Sequence, residues 1–359
     1  MLREHITDYE PYNEQEMRDR QIMLRIMDSC DDYLLRSNET AHFTASAWVV
    51  NHDRSKVLLI HHNIYNAWTW TGGHADGEED LLQTANNELI AKAKEEGKVC
   101  AAFLCENIPE PLLNLGNAFG IRLFAPNTGS MDIATYYMTS FLCETSRALL
   151  ERAIEGGYNF ADCLITPDGC TMMNRCGENM ELLHTMDGGD SKFFYEYMEI
   201  PLKADDNGVD LMKLQCQNHI LTPLAENYGI DTSDAAIRAA VKEHNEICEI
   251  IQAIGQFRKD DKPRVTAYEF HVLTLATYVA PKYLIVDKLR ETLEEIKTRE
   301  PDNKSYRARL ALVGSEIDDS GVIKLIEDCG AYVCVDRYCF GSFPSREQIE
   351  IKEGETAFD

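Results

Sequence analysis

The sequence predicts an α/β protein: Rossmann-like parallel-sheet domains with a helical block. Three observations predict it. The stretch 307–343, RARLALVGSEIDDSGVIKLIEDCGAYVCVDRYCFGSF, reads as strand, turn, helix, strand, loop. Short apolar runs of strand length recur at 98–105, 161–166 and 193–202. Between 209 and 299 the apolar residues instead repeat at helical spacing.

Within the first of these, Leu310 to Val313 is a short apolar run with Gly314 and Ser315 directly behind it, as at a strand end. Asp318 and Asp319 stand where a helix would start and Gly330 where it would stop. Leu325, Ile326 and Cys329 share a helical face, and Tyr332 to Val335 is the second strand. Such a βαβ unit predicts a parallel pair. Cys339 follows in a loop closed by Gly341. In open α/β sheets ligands sit at the carboxyl ends of strands, which is where Cys339 falls.

From the N-terminus, residues 1–40 are polar with helical tendency. HFTASAWVV at 42–50 alternates and reads as a strand, KVLLIH at 56–61 is the returning strand, and Asp53-Arg54 between them reads as a hairpin turn. A helical segment with acidic residues in its first turn follows and runs to about Gly97. KVCAAFLC at 98–105 is a strand. Asn107, with Pro109 two residues on, reads as a helix start; Leu112, Leu113 and Leu115 give its face, and it runs out near Gly120. GIRLFAP at 120–126 is the next strand, and 130–157 is largely helical. A cap-like Ser140 before Cys143, or a break beside it, would set that thiol near a helix N-terminus, where the dipole favours thiolate. ADCLIT at 161–166 is a strand, and PDGC then puts Cys170 just past its carboxyl end, the same place that Cys339 takes. FFYEYMEIPL is a strand; Asp231, Thr232 and Ser233 offer a cap to a helix striped with Ile237, Val241, Ile247, Ile250, Ile251 and Ile254.

A chain of 359 residues exceeds one ordinary core. Its net charge of -26 argues against nucleic acid, which asks for a basic face, and against anionic lipid. No apolar run approaches the ~20 residues of a membrane span, and MLREHITDYE lacks a signal core. A soluble, acidic, cytoplasmic protein is the expectation. The 12 cysteines include no C-x2-C pair, so zinc ribbons and ferredoxin-type runs are absent. Cys163, Cys329 and Cys334 lie in apolar patterns and are expected in the core; those in loops or at helix starts stand apart.

Residues 40–97 resemble the Nudix hydrolase family in part. Its box runs G-x5-E-x7-R-E-U-x-E-E-x-G-U, and Gly73, Glu79, Glu88 and Leu89 match. Asn87 stands for the Arg, Ala91 and Lys92 for the two Glu, and Lys94 for the Gly. The family's magnesium is held by carboxylates three and four apart on one helix face. Here only Glu88 remains, and Lys92 sets a cation at the metal position. The expectation is a Nudix-like hairpin and helix joined to another fold, without a working hydrolase site.

From residue 98 onward the chain resembles the 2-hydroxyacyl-CoA dehydratase D-component and benzoyl-CoA reductase family. The resemblance runs through FLCENIPEPLLNLGNAFGIRLFAP, FLCETSRALLERAIEGGYNFADCLITPDGCTMMNR, DAAIRAAVKEHNEICEIIQAIGQFR and LALVGSEIDDSGVIKLIEDCGAYVCVDRYCFGS. It implies two α/β domains and a [4Fe-4S] cluster on three cysteines, here Cys143, Cys170 and Cys339, with Cys105 in reserve. It implies an acyl-CoA substrate, a homologous dehydratase subunit and an ATP-dependent activator protein. The implied reaction is radical: an electron passed through the cluster turns a 2-hydroxyacyl-CoA into a ketyl that expels its hydroxyl. Two alternatives stand beside it: a Nudix-type nucleoside diphosphate hydrolase, and a cluster-binding electron-transfer subunit without catalysis. The expected division is a Nudix-like segment at 1–97, a first α/β domain at 98–205, a helical block at 206–300, and at 301–359 the start of a second α/β domain, truncated because little follows Cys339.

Overall fold

The computed structural model describes residues 2–30, 33–34, 44–47, 60–62, 67–69, 71–74, 81–126, 128, 131–186, 188, 192–301, 304–314, 316–342 and 346–359. The chain divides into two compact units, Met1–Ala91 and Lys92–Asp359.

In the first unit, α1 (Leu2–Asp8) and α2 (Glu14–Ser29) pack through a small cluster around Leu2 and Leu34. Asn13 caps α2, its side chain accepting from the Glu16 amide. Strands β1 (Thr44–Ala47), β2 (Ile60–His62), β3 (Ala67–Thr69) and β4 (Thr71–His74) follow. Then α3 (Leu81–Glu95) runs out of the unit. β1 lies antiparallel to β4, with Thr44 opposite His74, and β2 antiparallel to β3. Most of the hairpin expected between 42–50 and 56–61, including residues 48–59 with its turn, lies outside the described residues.

The second unit opens with β5 (Val99–Phe103), a single 3-10 turn (Glu110–Leu113) and β6 (Ala118–Arg122). A helix was the expectation at the turn. Only one 3-10 turn forms, with Pro109 as its N-cap residue and Pro111 in its first turn. Gly120 accordingly lies inside β6 and not at a helix end, and the strand ends at Arg122, short of Pro126. Next come α4 (Ala134–Tyr137), α5 (Glu144–Ile154), β7 (Cys163–Pro167), α6 (Thr171–Met186) and β8 (Phe194–Met198). The four strands form one all-parallel sheet in the order β6-β5-β7-β8. Its two faces follow the strand alternation. Ala101, Phe103, Cys163 and Ile165 face one core, shared with Ile220, Leu224 and Ile237. Ala102, Leu104 and Leu164 face another, shared with Leu149, Leu150, Met173 and Cys176.

The helical block comprises α7 (Asp206–Cys216), a π-helical turn (Gln217–Leu221), α8 (Thr222–Tyr228), α9 (Asp234–Gln256), α10 (Ala267–Val279) and α11 (Lys282–Thr298). Ser233 caps α9, and its isoleucine stripe is buried as its spacing predicts. Thr266 and Glu269 form a reciprocal cap on α10.

The last unit of pattern is β9 (Ala308–Val313), α12 (Ser320–Asp328) and β10 (Ala331–Arg337), with the two strands parallel as expected. Asp319 caps α12, and Gly330 takes a φ of +84° at its end. The buried face of α12 is one residue out from the expected one. Ile323 and Glu327 are buried, while Leu325 and Cys329 are exposed. Glu327 explains the shift: its carboxylate accepts from the Ala267 and Tyr268 amides at 2.8 and 3.1 Å, so the polar residue turns inward to cap α10. Among the described residues no helix is long and apolar enough to cross a membrane.

Candidate functional site

The strand order β6-β5-β7-β8 reverses direction between β5 and β7, and a crevice opens at the carboxyl ends of such a pair. The loops leaving β5 and β7 meet there. A Cβ on Gly169 would press on the Asn107 side-chain nitrogen, so the two loops lie in close approach. A cavity of about 480 Å³ adjoins this point. It is lined by 106–111 after β5, by Val313 and Gly314 at the end of β9, and by Arg337, Tyr338 and Cys339 at the end of β10, with His244 from α9.

The two sheets are tied at these ends by buried polar bonds. Arg122, last residue of β6, donates to the Cys339 carbonyl at 2.5 Å and faces Glu316 at 3.5 Å. Its guanidinium stacks on Phe340, 4.1 Å from the ring centre. The Ala125 amide donates to Asp318 at 2.9 Å. Asp336 organises the loop that carries Cys339. It accepts from the Ser342 amide at 2.6 Å and hydroxyl at 3.0 Å, and pairs with Arg258 at 2.6 Å. The Tyr278 hydroxyl donates to the Gly341 carbonyl at 2.9 Å. A Cβ on Gly341 would meet Asp336 Oδ2 at 2.5 Å and the Tyr338 carbonyl at 3.0 Å. Gly341→Ala is therefore expected to cost about 1–3 kcal/mol, as overpacking does; an unchanged urea midpoint would show that the loop is not held as described.

Electrostatically the cavity wall is acidic and dry. Burial pushes the Cys339 thiol up to about 12, helped by Glu316 and Glu106 and opposed by Arg122. Burial raises Cys105 as well, again opposed by Arg122. Glu316 and Asp318 are raised by burial. Beneath lies a buried charge cluster: Glu110 faces Lys282 at 2.6 Å and Arg346 at 3.1 Å.

The candidate cysteines occupy four places. Cys143 is the N-cap residue of α5. Cys170 precedes α6, its carbonyl accepting from the Asn174 amide at 2.9 Å. Cys339 sits in the loop after β10, and Cys105 just past β5 with φ +66°, the one non-glycine left-handed residue among those described. All four are half-buried, whereas Cys100, Cys163, Cys176, Cys216 and Cys248 are buried. Cys105 and Cys339 are close enough for each charge to oppose the other. Cys143 instead interacts with Cys176 on α6. Among the described residues no group of three or more His, Cys, Asp or Glu is set to hold a metal ion, so the three sulfurs do not form a ligand set as the chain stands.

Of the residues read as matching the Nudix box, Gly73 lies in β4, while Glu79 is outside the described residues. Burial pushes the Glu88 carboxyl up, favouring the acid over the anion that a magnesium ligand must be. Sequence reasoning also passed over Arg122, Asp336, Glu316 and Glu110. The available signal was a charge inside an apolar run, as in GIRLFAP and VCVDRYC.

Comparison with known proteins bears on the same region. The family model for the 2-hydroxyglutaryl-CoA dehydratase D-component matches residues 105–359, and no comparison supports the Nudix resemblance expected ahead of it. One of the subunits of benzoyl-CoA reductase from Thauera aromatica is 21% identical over 268 residues, covering 72% of this chain and 66% of that protein. The beta subunit of (R)-2-hydroxyglutaryl-CoA dehydratase of Acidaminococcus fermentans is 19% identical over 265 residues, covering 74% and 68%. The chain thus spans about two thirds of the length of these relatives. With its parallel sheet, its strand-end crevice and a match over 105–359, the chain belongs to the 2-hydroxyglutaryl-CoA dehydratase D-component family.

Proposed function

We propose that this chain is the iron–sulfur subunit of a 2-hydroxyacyl-CoA dehydratase-like or benzoyl-CoA reductase-like enzyme. Its [4Fe-4S] cluster would be held by Cys143, Cys170 and Cys339. One observation carries the reading: the crevice at the strand ends is bordered by Cys339 and by the loop of Cys170, in a chain whose family match spans that whole region. Thiolates are the natural ligands of such clusters. A bound cluster would supply one-electron chemistry, and the protein's own residues would seat it and exclude water. The cavity of about 480 Å³ suits the acyl end of a thioester. In this reading 98–205 is the first α/β domain, 206–300 the helical block and 301–359 belongs to a second α/β domain, and the working enzyme adds a homologous subunit and an ATP-dependent activator.

Thiols that are protonated before loading must release protons when they bind iron. Iron uptake should therefore rise with pH. Anaerobic reconstitution followed by iron and sulfide analysis tests the ligand set. Cys143→Ser, Cys170→Ser and Cys339→Ser should each lower iron content and bleach the brown absorption, while Cys163→Ser and Cys334→Ser should not. A full complement of iron in any of the first three removes that residue, and Cys105 takes its place. Acyl-CoA binding to the loaded protein separates the catalytic subunit from an electron-transfer subunit, which binds none.

A further inference from the structure

We propose that His244 reads the hydroxyl of the substrate: its Nδ1, bare of hydrogen and open to the strand-end cavity, accepts a hydrogen bond from the 2-hydroxyl of the acyl group. The inference rests on the acyl-CoA reading above. It narrows that reading to hydroxyl-bearing acyl thioesters, over hydroxyl-free ones such as benzoyl-CoA.

His244 lies on α9, is 5% exposed, and lines the cavity of about 480 Å³ that Cys339 borders. Its ring is held from one side. Nε2 lies 3.2 Å from the Glu347 carbonyl and 3.4 Å from Cys248 Sγ, one turn along the same helix. A carbonyl oxygen only accepts, so Nε2 is the nitrogen that carries the hydrogen. Burial lowers the pKa of the ring against the pull of Glu110, which favours the neutral form. A neutral imidazole with its hydrogen on Nε2 keeps a lone pair on Nδ1. Nδ1 makes neither of these contacts and is not among the sealed polar atoms that lack a partner. It therefore opens on the cavity that the ring lines. Glu106 and Glu347 line the same cavity and add acceptor oxygens to it.

A lone pair facing a ligand site asks for a donor. The thioester group has none, since its carbonyl oxygen and sulfur only accept. A benzoyl group adds ring surface and no donor. On the acyl part of a 2-hydroxyacyl thioester the 2-hydroxyl is the donor, and it sits one carbon from the thioester carbonyl. An acyl group without it would strip water from Nδ1 and leave that nitrogen unmatched, which is costly in a buried place. A site built to hydrogen-bond a hydroxyl rejects the analogue lacking it for this reason. The bond fixes the carbon that bears the hydroxyl; His244 binds and orients, and moves no proton in this role.

The test is calorimetric titration of the full chain with 2-hydroxypentanoyl-CoA, pentanoyl-CoA and benzoyl-CoA. All three share the CoA arm with its amide donors, so a difference among them reports on the acyl part. 2-Hydroxypentanoyl-CoA should bind saturably at one site, and the other two at least fivefold more weakly. His244→Leu should bring 2-hydroxypentanoyl-CoA to within twofold of pentanoyl-CoA, whose own affinity changes less than twofold. His244→Asn, whose amide oxygen can stand where Nδ1 stood, should keep a gap of at least twofold. Equal binding of the hydroxy and hydroxyl-free thioesters, benzoyl-CoA included, or a full gap in His244→Leu, overturns the proposal and leaves the acyl-CoA reading standing. Binding of none of the three overturns both. Should a variant fail to fold, the contrast among the three thioesters on the unmodified chain decides it.

Discussion

Glu110→Gln is expected to cost about 3–5 kcal/mol of stability, the range for removing one partner of a buried ion pair. Glu110 lies in the 3-10 turn after β5, and its carboxylate answers two cations, Lys282 at the start of α11 and Arg346 near the chain end. All three side chains are at most 2% exposed. Lys282 is poorly placed by itself, since a cation in the first turn of a helix opposes the helix dipole. Arg346 is held further by Thr277 Oγ1 at 2.7 Å and by the Tyr278 ring, 3.7 Å from its centre. Glutamine keeps the shape and removes the charge, leaving two buried cations without an anion. The pH dependence has a defined sign. Burial would raise the Glu110 carboxyl, but Arg346 and Lys282 override it and hold the group at about 2. A carboxyl depressed in the folded state stabilises above its unfolded value of 4.5 and loses that contribution as pH falls toward 2. Urea unfolding between pH 7 and pH 3 should show the unmodified chain weakening across that window and Glu110→Gln weakening less. A loss below about 1 kcal/mol at pH 7 would mean that the cluster is solvated. Replacing Glu110, Lys282 and Arg346 together with Met should recover much of the loss, because an apolar set of similar volume needs no counter-charge.

Asp336→Ala is the second large effect, again about 3–5 kcal/mol. It orphans Arg258, whose guanidinium lies 3.6 Å from the Phe270 ring centre and whose side chain is 6% exposed. It also removes both bonds to Ser342, which hold the loop carrying Cys339. A stability loss alone would not distinguish the two roles. Thiol reactivity does: Cys339 should react faster with a disulfide reagent in Asp336→Ala, relative to the same variant with Cys339→Ser. Asp336→Asn should retain part of the loop order, since its amide oxygen still accepts from the Ser342 amide. An unchanged Cys339 rate in Asp336→Ala would show that the loop is held by Tyr278 and Arg122 instead.

Much of the fold was legible because its signals are local. The strands at Leu310–Val313 and Tyr332–Val335, the cap at Asp319 and the stop at Gly330 are each set by a few neighbouring residues. So is the break that makes Cys143 a helix cap. What failed depended on distant partners. The buried face of α12 is turned by Glu327 reaching amides some 60 residues earlier. The charges around the crevice were hidden for the same reason: Glu110 and Arg346 are 236 positions apart, and Arg122 and Cys339 are 217. A charge inside an apolar run marks Arg122 as unusual, but nothing near it in the sequence names its partner.

Those separations also bear on the order of assembly. Contacts that close long loops form late, because the chain entropy must be lost before the contact is made. The four-stranded sheet needs nothing beyond Met198 for its pairing, so during synthesis it is expected to assemble first. Glu110 and Arg122 would then wait at its edge, still solvated, while more than a hundred further residues are added. Only when Arg346 and the Cys339 loop arrive can those charges be withdrawn from water, so the crevice is expected to be the last part of this unit to become dry.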